Sequence, residues 1–74
     1  MEYKKTAEYA FDLMEHFYNL NKEKIEEVGT DKLRVLVPLE IYRLLERTDG
    51  TYPKRYRHMD MESTTGNLII FALK

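Results

Sequence analysis

Apolar residues in the first third of the chain recur at intervals of three and four. Ala7, Ala10, Phe11, Met14, Phe17, Tyr18, Ile25 and Val28 form one broad stripe, and Glu8, Asp12, Glu15 and Lys22 fall off it. That spacing predicts an amphipathic helix from about Lys4 to Val28. Asn19-Leu20-Asn21 is its weak point. Asparagine is poor inside a helix and good as an N-cap, so Asn21 could restart a short second helix, Lys22 to Val28. A continuous and a broken helix both fit the pattern. Gly29 stops it in either case.

The period changes to two at Lys32 to Val37. Leu33, Val35 and Val37 point to one side, and Arg34 and Leu36 to the other, as in a strand. Pro38 keeps Val37 extended and suits the first position of a following helix. That helix runs to about Arg47, with Ile41, Leu44 and Leu45 facing the core, and Thr48-Asp49-Gly50 ends it. Tyr56 to Met61 can extend as a strand. Glu62 to Asn67 is turn chemistry, and Leu68 to Leu73 is the strongest strand signal in the chain. The last two strands are expected to form a hairpin.

The expected fold is therefore a single α+β domain over residues 1–74. An N-terminal helix, long or broken near Asn19, and a central helix pack on a small, mainly antiparallel three-stranded sheet that ends in a C-terminal hairpin. No repeat, linker or low-complexity segment is present.

The final strand adds a functional expectation. Leu68, Ile70 and Ala72 lie on one of its faces, and Ile69, Phe71 and Leu73 on the other, so both faces want cover. Helices cover one. The other points to a homodimer or partner interface built from Leu36, Ile69, Phe71 and Leu73. The competing reading is a sheet sandwiched between helical layers.

Composition narrows the class. Of 74 residues, 43% are apolar and 34% charged, which suits a globular chain and not a disordered one. No run of about 18 apolar residues exists to span a membrane. There is no cysteine, hence no disulfide framework or thiolate metal site, and a cytoplasmic location is expected. The net charge of −1 hides an asymmetry. Residues 1–31 set four lysines against eight carboxylates, a balance of −4; residues 32–74 set eight Lys/Arg against five, a balance of +3. Such polarity can give acidic and basic faces, or draw the two halves together inside one fold.

The basic half concentrates its chemistry in Thr51 to His58. Lys54, Arg55, Arg57 and His58 alternate there with Tyr52 and Tyr56. Cations with flat aromatic faces can grip phosphates and stack on bases. The same residues anchor protein interfaces. They can also serve as counter-charge to the acidic helix carrying Glu23, Glu26 and Glu27. No helix-turn-helix can be read, since only one helix lies between the first strand and the last two.

Catalytic chemistry is poorly supplied. The one serine, Ser63, could be grouped with His58 and Asp60, but such close spacing along one strand and turn does not converge. His58, Asp60 and Glu62 alternate and could offer metal ligands, though solvent-facing strand residues look the same. Gly29, Gly50 and Gly66 each stand alone at a break, so there is no phosphate-binding glycine loop. The expectation is a non-enzymatic, cofactor-free protein that binds another macromolecule, a protein partner first, and forms a homodimer. The alternative is a nucleic-acid binder using Tyr52, Lys54, Arg55, Tyr56, Arg57 and His58.

Overall fold

The computed structural model describes residues 6–74. The start of the first helix expected at Lys4 lies outside the described residues.

Thr6 opens helix α1 (Ala7–Leu20): its hydroxyl accepts from the Tyr9 N–H, and Glu8 sits in the first turn. Ala10, Met14 and Tyr18, each four residues apart, form its buried stripe. Phe11, expected on that stripe, lies at its edge and is exposed. The helix breaks at Asn21, whose side-chain amide donates to the Phe17 carbonyl at 2.8 Å and so competes with helix continuation. Helix α2 (Lys22–Val28) follows and buries Ile25. Of the two open readings, the broken helix is the one found.

Gly29, at φ 101°, turns the chain through a short 3₁₀ segment, Thr30–Lys32, into strand β1 (Leu33–Pro38). Leu33, Val35 and Val37 are buried on one face, as their alternation predicts. Helix α3 (Leu39–Tyr42) is shorter than expected and tightens into a 3₁₀ turn, Arg43–Leu45, that buries Leu45. Strands β2 (Arg55–Tyr56), β3 (Met59–Thr64) and β4 (Ile70–Leu73) complete the chain.

The result is a small α+β domain with a four-stranded mixed sheet ordered β2-β3-β1-β4. Two expectations need correction. The sheet has four strands, not three, because Tyr56 to Met61 is not one strand. It folds at Arg57-His58 into the β2–β3 hairpin, with Arg55 opposite Asp60 and Tyr56 opposite Met59. Nor do the last two strands form a hairpin. β1 lies between them, parallel to β3 and antiparallel to β4. The connection, residues 65–69, is long enough to allow this. Five extended residues reach about 16 Å, while stepping over one strand requires about 10 Å. β1 and β3 are the two interior strands, and β1 is buried on one face and half-covered on the other.

One continuous core fills the space between the helices and one face of the sheet. Met14, Met59, Val35 and Val37 are its fully buried large side chains, with Tyr18, Tyr56 and Ile69 around them. Among the described residues, no helix is long and apolar enough to cross a membrane.

Candidate functional site

The Tyr52 to His58 segment does not form one surface. Tyr56 faces inward opposite Met59 and is only 8% exposed. Its hydroxyl donates to Glu15 Oε2 at 2.5 Å. Arg57 Nη2 donates to the other carboxylate oxygen of Glu15, and Arg57 Nε to the Tyr56 hydroxyl at 3.2 Å. The same guanidinium lies 4.3 Å from the centre of the Tyr18 ring. Tyr52 stacks on Tyr42 with ring centres 4.9 Å apart. Both tyrosines proposed as stacking platforms are therefore engaged within the molecule. Lys54, Arg55 and His58 are exposed, and Arg55 Nε reaches Asp60 at 3.6 Å.

These contacts shift the groups that make them. The hydrogen bonds from Tyr56 and then Arg57 hold the Glu15 carboxyl below its usual value. Burial, and then the bond to Glu15, raises the Tyr56 phenol. The bonds to Tyr56 and Glu15 raise the Arg57 guanidinium further. The counter-charge for Arg57 is thus Glu15 on α1, not the Glu23, Glu26 and Glu27 of α2.

Backbone geometry is unusual at the same place. Arg57 (φ 48°) and His58 (φ 69°) are both left-handed, the combination a two-residue type I′ hairpin turn needs. Such turns favour Asn-Gly, which is why sequence reasoning missed this one. With His58 in the turn and Met59 starting β3, His58 does not share a ladder with Asp60 and Glu62. Asp60 is paired with Arg55 and with Lys74 at 3.5 Å, and Glu62 with Arg34 at 2.8 Å. Among the described residues no group of three His, Asp or Glu side chains is arranged to hold a metal ion.

The second expected surface is rearranged. The helices pack on one side of the sheet, where Leu45 beyond α3 joins the same core as Met14. The register places Leu36 opposite Ile70, Arg34 opposite Ala72 and Val35 opposite Phe71. Leu36, Ile70 and Ala72 therefore share the outer face, while Phe71 shares the core face with Val35. Grouping Leu36 with Ile69, Phe71 and Leu73 was wrong by one residue of strand phase. Ile69 is buried in the core, Phe71 meets Tyr18 edge-on, and Leu73, opposite Leu33 and in phase with Phe71, is 66% exposed.

The outer face divides into two halves. On β2 and β3, Arg55, Asp60 and Glu62 form ion pairs with one another, with Arg34 and with Lys74. On β1 and β4, Leu36, Ile70 and Ala72 make an apolar half. Ile70 is 47% exposed, and Leu68 just before the strand is 61% exposed. Half of the exposed large hydrophobic residues among those described (Leu68, Ile70 and Leu73) lie on or beside β4. Compared with known protein families, with curated proteins and with solved structures, the chain finds no significant match.

Proposed function

We propose that this chain is a non-enzymatic binding module that acts by docking another macromolecule, a protein, and that it also self-associates as a homodimer. The observation that carries the reading is the β4 side of the sheet. Leu36, Ile70 and Ala72 lie on a face that the helices do not cover, with the exposed Leu68 just before the strand. Concentrated exposure of large aliphatic side chains marks interaction surfaces. The neighbouring ion pairs supply the polar border such a surface needs. We place the protein in the cytoplasm, where domains without disulfides are the norm.

Nucleic-acid binding through Tyr52 to His58 has less support. Stacking on bases needs free aromatic faces, and Tyr56 is buried while Tyr52 is stacked on Tyr42. Lys54 and Arg55 remain, with His58 near them, and among the described residues no free aromatic platform lies beside them.

Light scattering on a sizing column, from micromolar to millimolar protein, tests the reading. A dimer that dissociates on dilution and leaves a mixed oligonucleotide pool unshifted is expected. A monomer throughout, together with salt-sensitive oligonucleotide binding lost in Arg55→Glu, would overturn it in favour of nucleic-acid binding.

A further inference from the structure

The free margin of β4 borders an open cleft of about 440 Å³ between that strand and α2. Lys24, Ile25 and Val28, spaced as one helix face, form one wall; Ile70, Phe71 and Leu73 form the other. The cleft is apolar apart from Lys24 and an asparagine at its rim. Lys24 makes no ion pair among the described residues.

Among the described residues, the backbone of β4 is equally unpartnered on this side. The Lys74 N–H donates to the Lys32 carbonyl at 3.1 Å, which fixes the phase of the antiparallel ladder. In that phase Arg34 and Ala72 exchange hydrogen bonds, as do Leu36 and Ile70. The N–H and C=O groups of Phe71 and Leu73 therefore point away from β1, out of the sheet at the open edge. An edge of this kind is a template for another strand.

We propose that the α2–β4 cleft receives an extended segment of a partner protein as a fifth strand on β4. The added backbone bonds the free groups of Phe71 and Leu73. Its inward side chains, at every second position, are apolar and fill the space between Phe71 and the Ile25–Val28 wall. One inward position carries Asp or Glu and meets Lys24. This deepens the reading of the protein as a binding module and rests on it.

Charge complementarity selects this occupant over two others. The β4 strand of a second copy offers Ile70 to Leu73 and then Lys74, with no acidic side chain for Lys24. A chain-terminal carboxylate is captured by a nest of backbone N–H groups, and this cleft supplies a lysine and aliphatic walls instead. An acidic side chain within an apolar strand satisfies both the edge and the cation.

The probes are eight-residue synthetic peptides, acetylated and amidated, alternating valine and threonine. A glutamate replaces each valine in turn, and a matched set carries glutamine. Binding is followed by amide chemical shifts and hydrogen exchange of the whole chain. The expected result is one preferred glutamate position, shifts concentrated on α2 and β4, and slowed exchange at Phe71 and Leu73. Glutamine at that position, or Lys24→Glu, weakens binding roughly three- to fivefold, the range of an exposed ion pair. Val28→Glu, at a half-exposed position, abolishes it while circular dichroism stays native. No saturable shift at millimolar peptide, shifts mapping elsewhere, or indifference to Lys24→Glu would each overturn the proposal. Self-association on the outer face is read separately by light scattering. If it persists while every peptide fails, strand docking alone falls; if both fail, the module reading falls with it.

Discussion

Ile70→Glu probes the outer-face dimer most directly. Burying a whole isoleucine side chain is worth about 1.5–3 kcal/mol. Ile70 is 47% exposed in the single chain, so a partner can cover about half of it. Covering that half contributes about 0.7–1.4 kcal/mol per protomer, and about 1.5–3 kcal/mol when a two-fold axis doubles it. Losing it weakens the dimer roughly ten- to hundredfold. Glutamate adds a further cost, because the axis brings two carboxylates to one surface, and the upper end of that range is expected. The folded monomer should hardly notice. Position 70 is exposed on an edge strand, and its cross-strand contact with Leu36 is worth under about 1 kcal/mol. Sedimentation equilibrium at several loading concentrations gives Kd for wild type, Ile70→Glu and the control Ile70→Val. Thermal melts at two concentrations show whether stability depends on association. A Kd unchanged by glutamate would refute the outer-face assignment, and a wild-type chain monomeric at about 1 mM would refute the dimer itself.

Other consequences follow from the same structure. Glu15 has its folded-state pKa held below the usual value of 4.5 by Tyr56 and Arg57. The stability this contributes is present in full above 4.5 and disappears as pH falls through the lower folded value. Melting curves from pH 7 down to 3 should therefore show a steeper acid limb in wild type than in Glu15→Gln. Met59→Ala removes a fully buried side chain from the strand between β2 and β1. It should cost about 2–5 kcal/mol, lowering the urea midpoint and the melting temperature by 10 °C or more, roughly. Gly29→Ala should destabilise more than Gly50→Ala. Both glycines have positive φ, but a Cβ at Gly29 would lie 2.8 Å from Asp31 Oδ1 whereas one at Gly50 meets nothing within 4 Å. Chemical denaturation of the two variants should rank them in that order, each losing about 1 kcal/mol or more.

What could be read from the sequence follows the range of the interactions involved. The strand Leu33 to Val37 and its buried face depend on neighbours a few residues away, and local pattern reports them; at Asn21 the pattern allows both a break and a continuous helix, and the Asn21 side chain decides for the break. The pairing of β4 depends on which strand sits between it and β3. Ile-Ile-Phe-Ala-Leu is apolar on both faces, so its pattern carries no phase, and a one-residue slip exchanged Ile70 for Phe71 on the outer side. The β2–β3 turn was hidden for another reason. Arg57 and His58 supply none of the usual residues for left-handed backbone, and the contacts that hold Arg57 there come from Glu15 and Tyr18, about forty residues distant in sequence. The α2–β4 cleft was beyond reach as well, because it needs both the helix break and the strand order.

The two margins of the sheet are treated in opposite ways, which bears on where a partner should be sought. β2 is two residues long, ends at the tight Arg57-His58 turn and carries the charged Lys54 and Arg55 at its margin. Short length, charge and a sharp turn are the means by which edges avoid unwanted pairing. Left-handed backbone at Arg57 costs energy on the order of 1 kcal/mol. The Glu15 carboxylate, the Tyr56 hydroxyl and the Tyr18 ring hold that side chain in place. β4 has less of this protection, with one charged residue, Lys74, at its end. It is twice as long, has no charged residue between Ile70 and Leu73, and keeps two peptide units of hydrogen-bonding capacity turned outward beside an apolar cleft. With one edge blunted by a strained, anchored turn and the other apolar and open, the β4 end is where the proposed partner should be sought. On the proposed reading, the docking contacts belong to Lys24, Ile70, Phe71 and Leu73, which line the cleft.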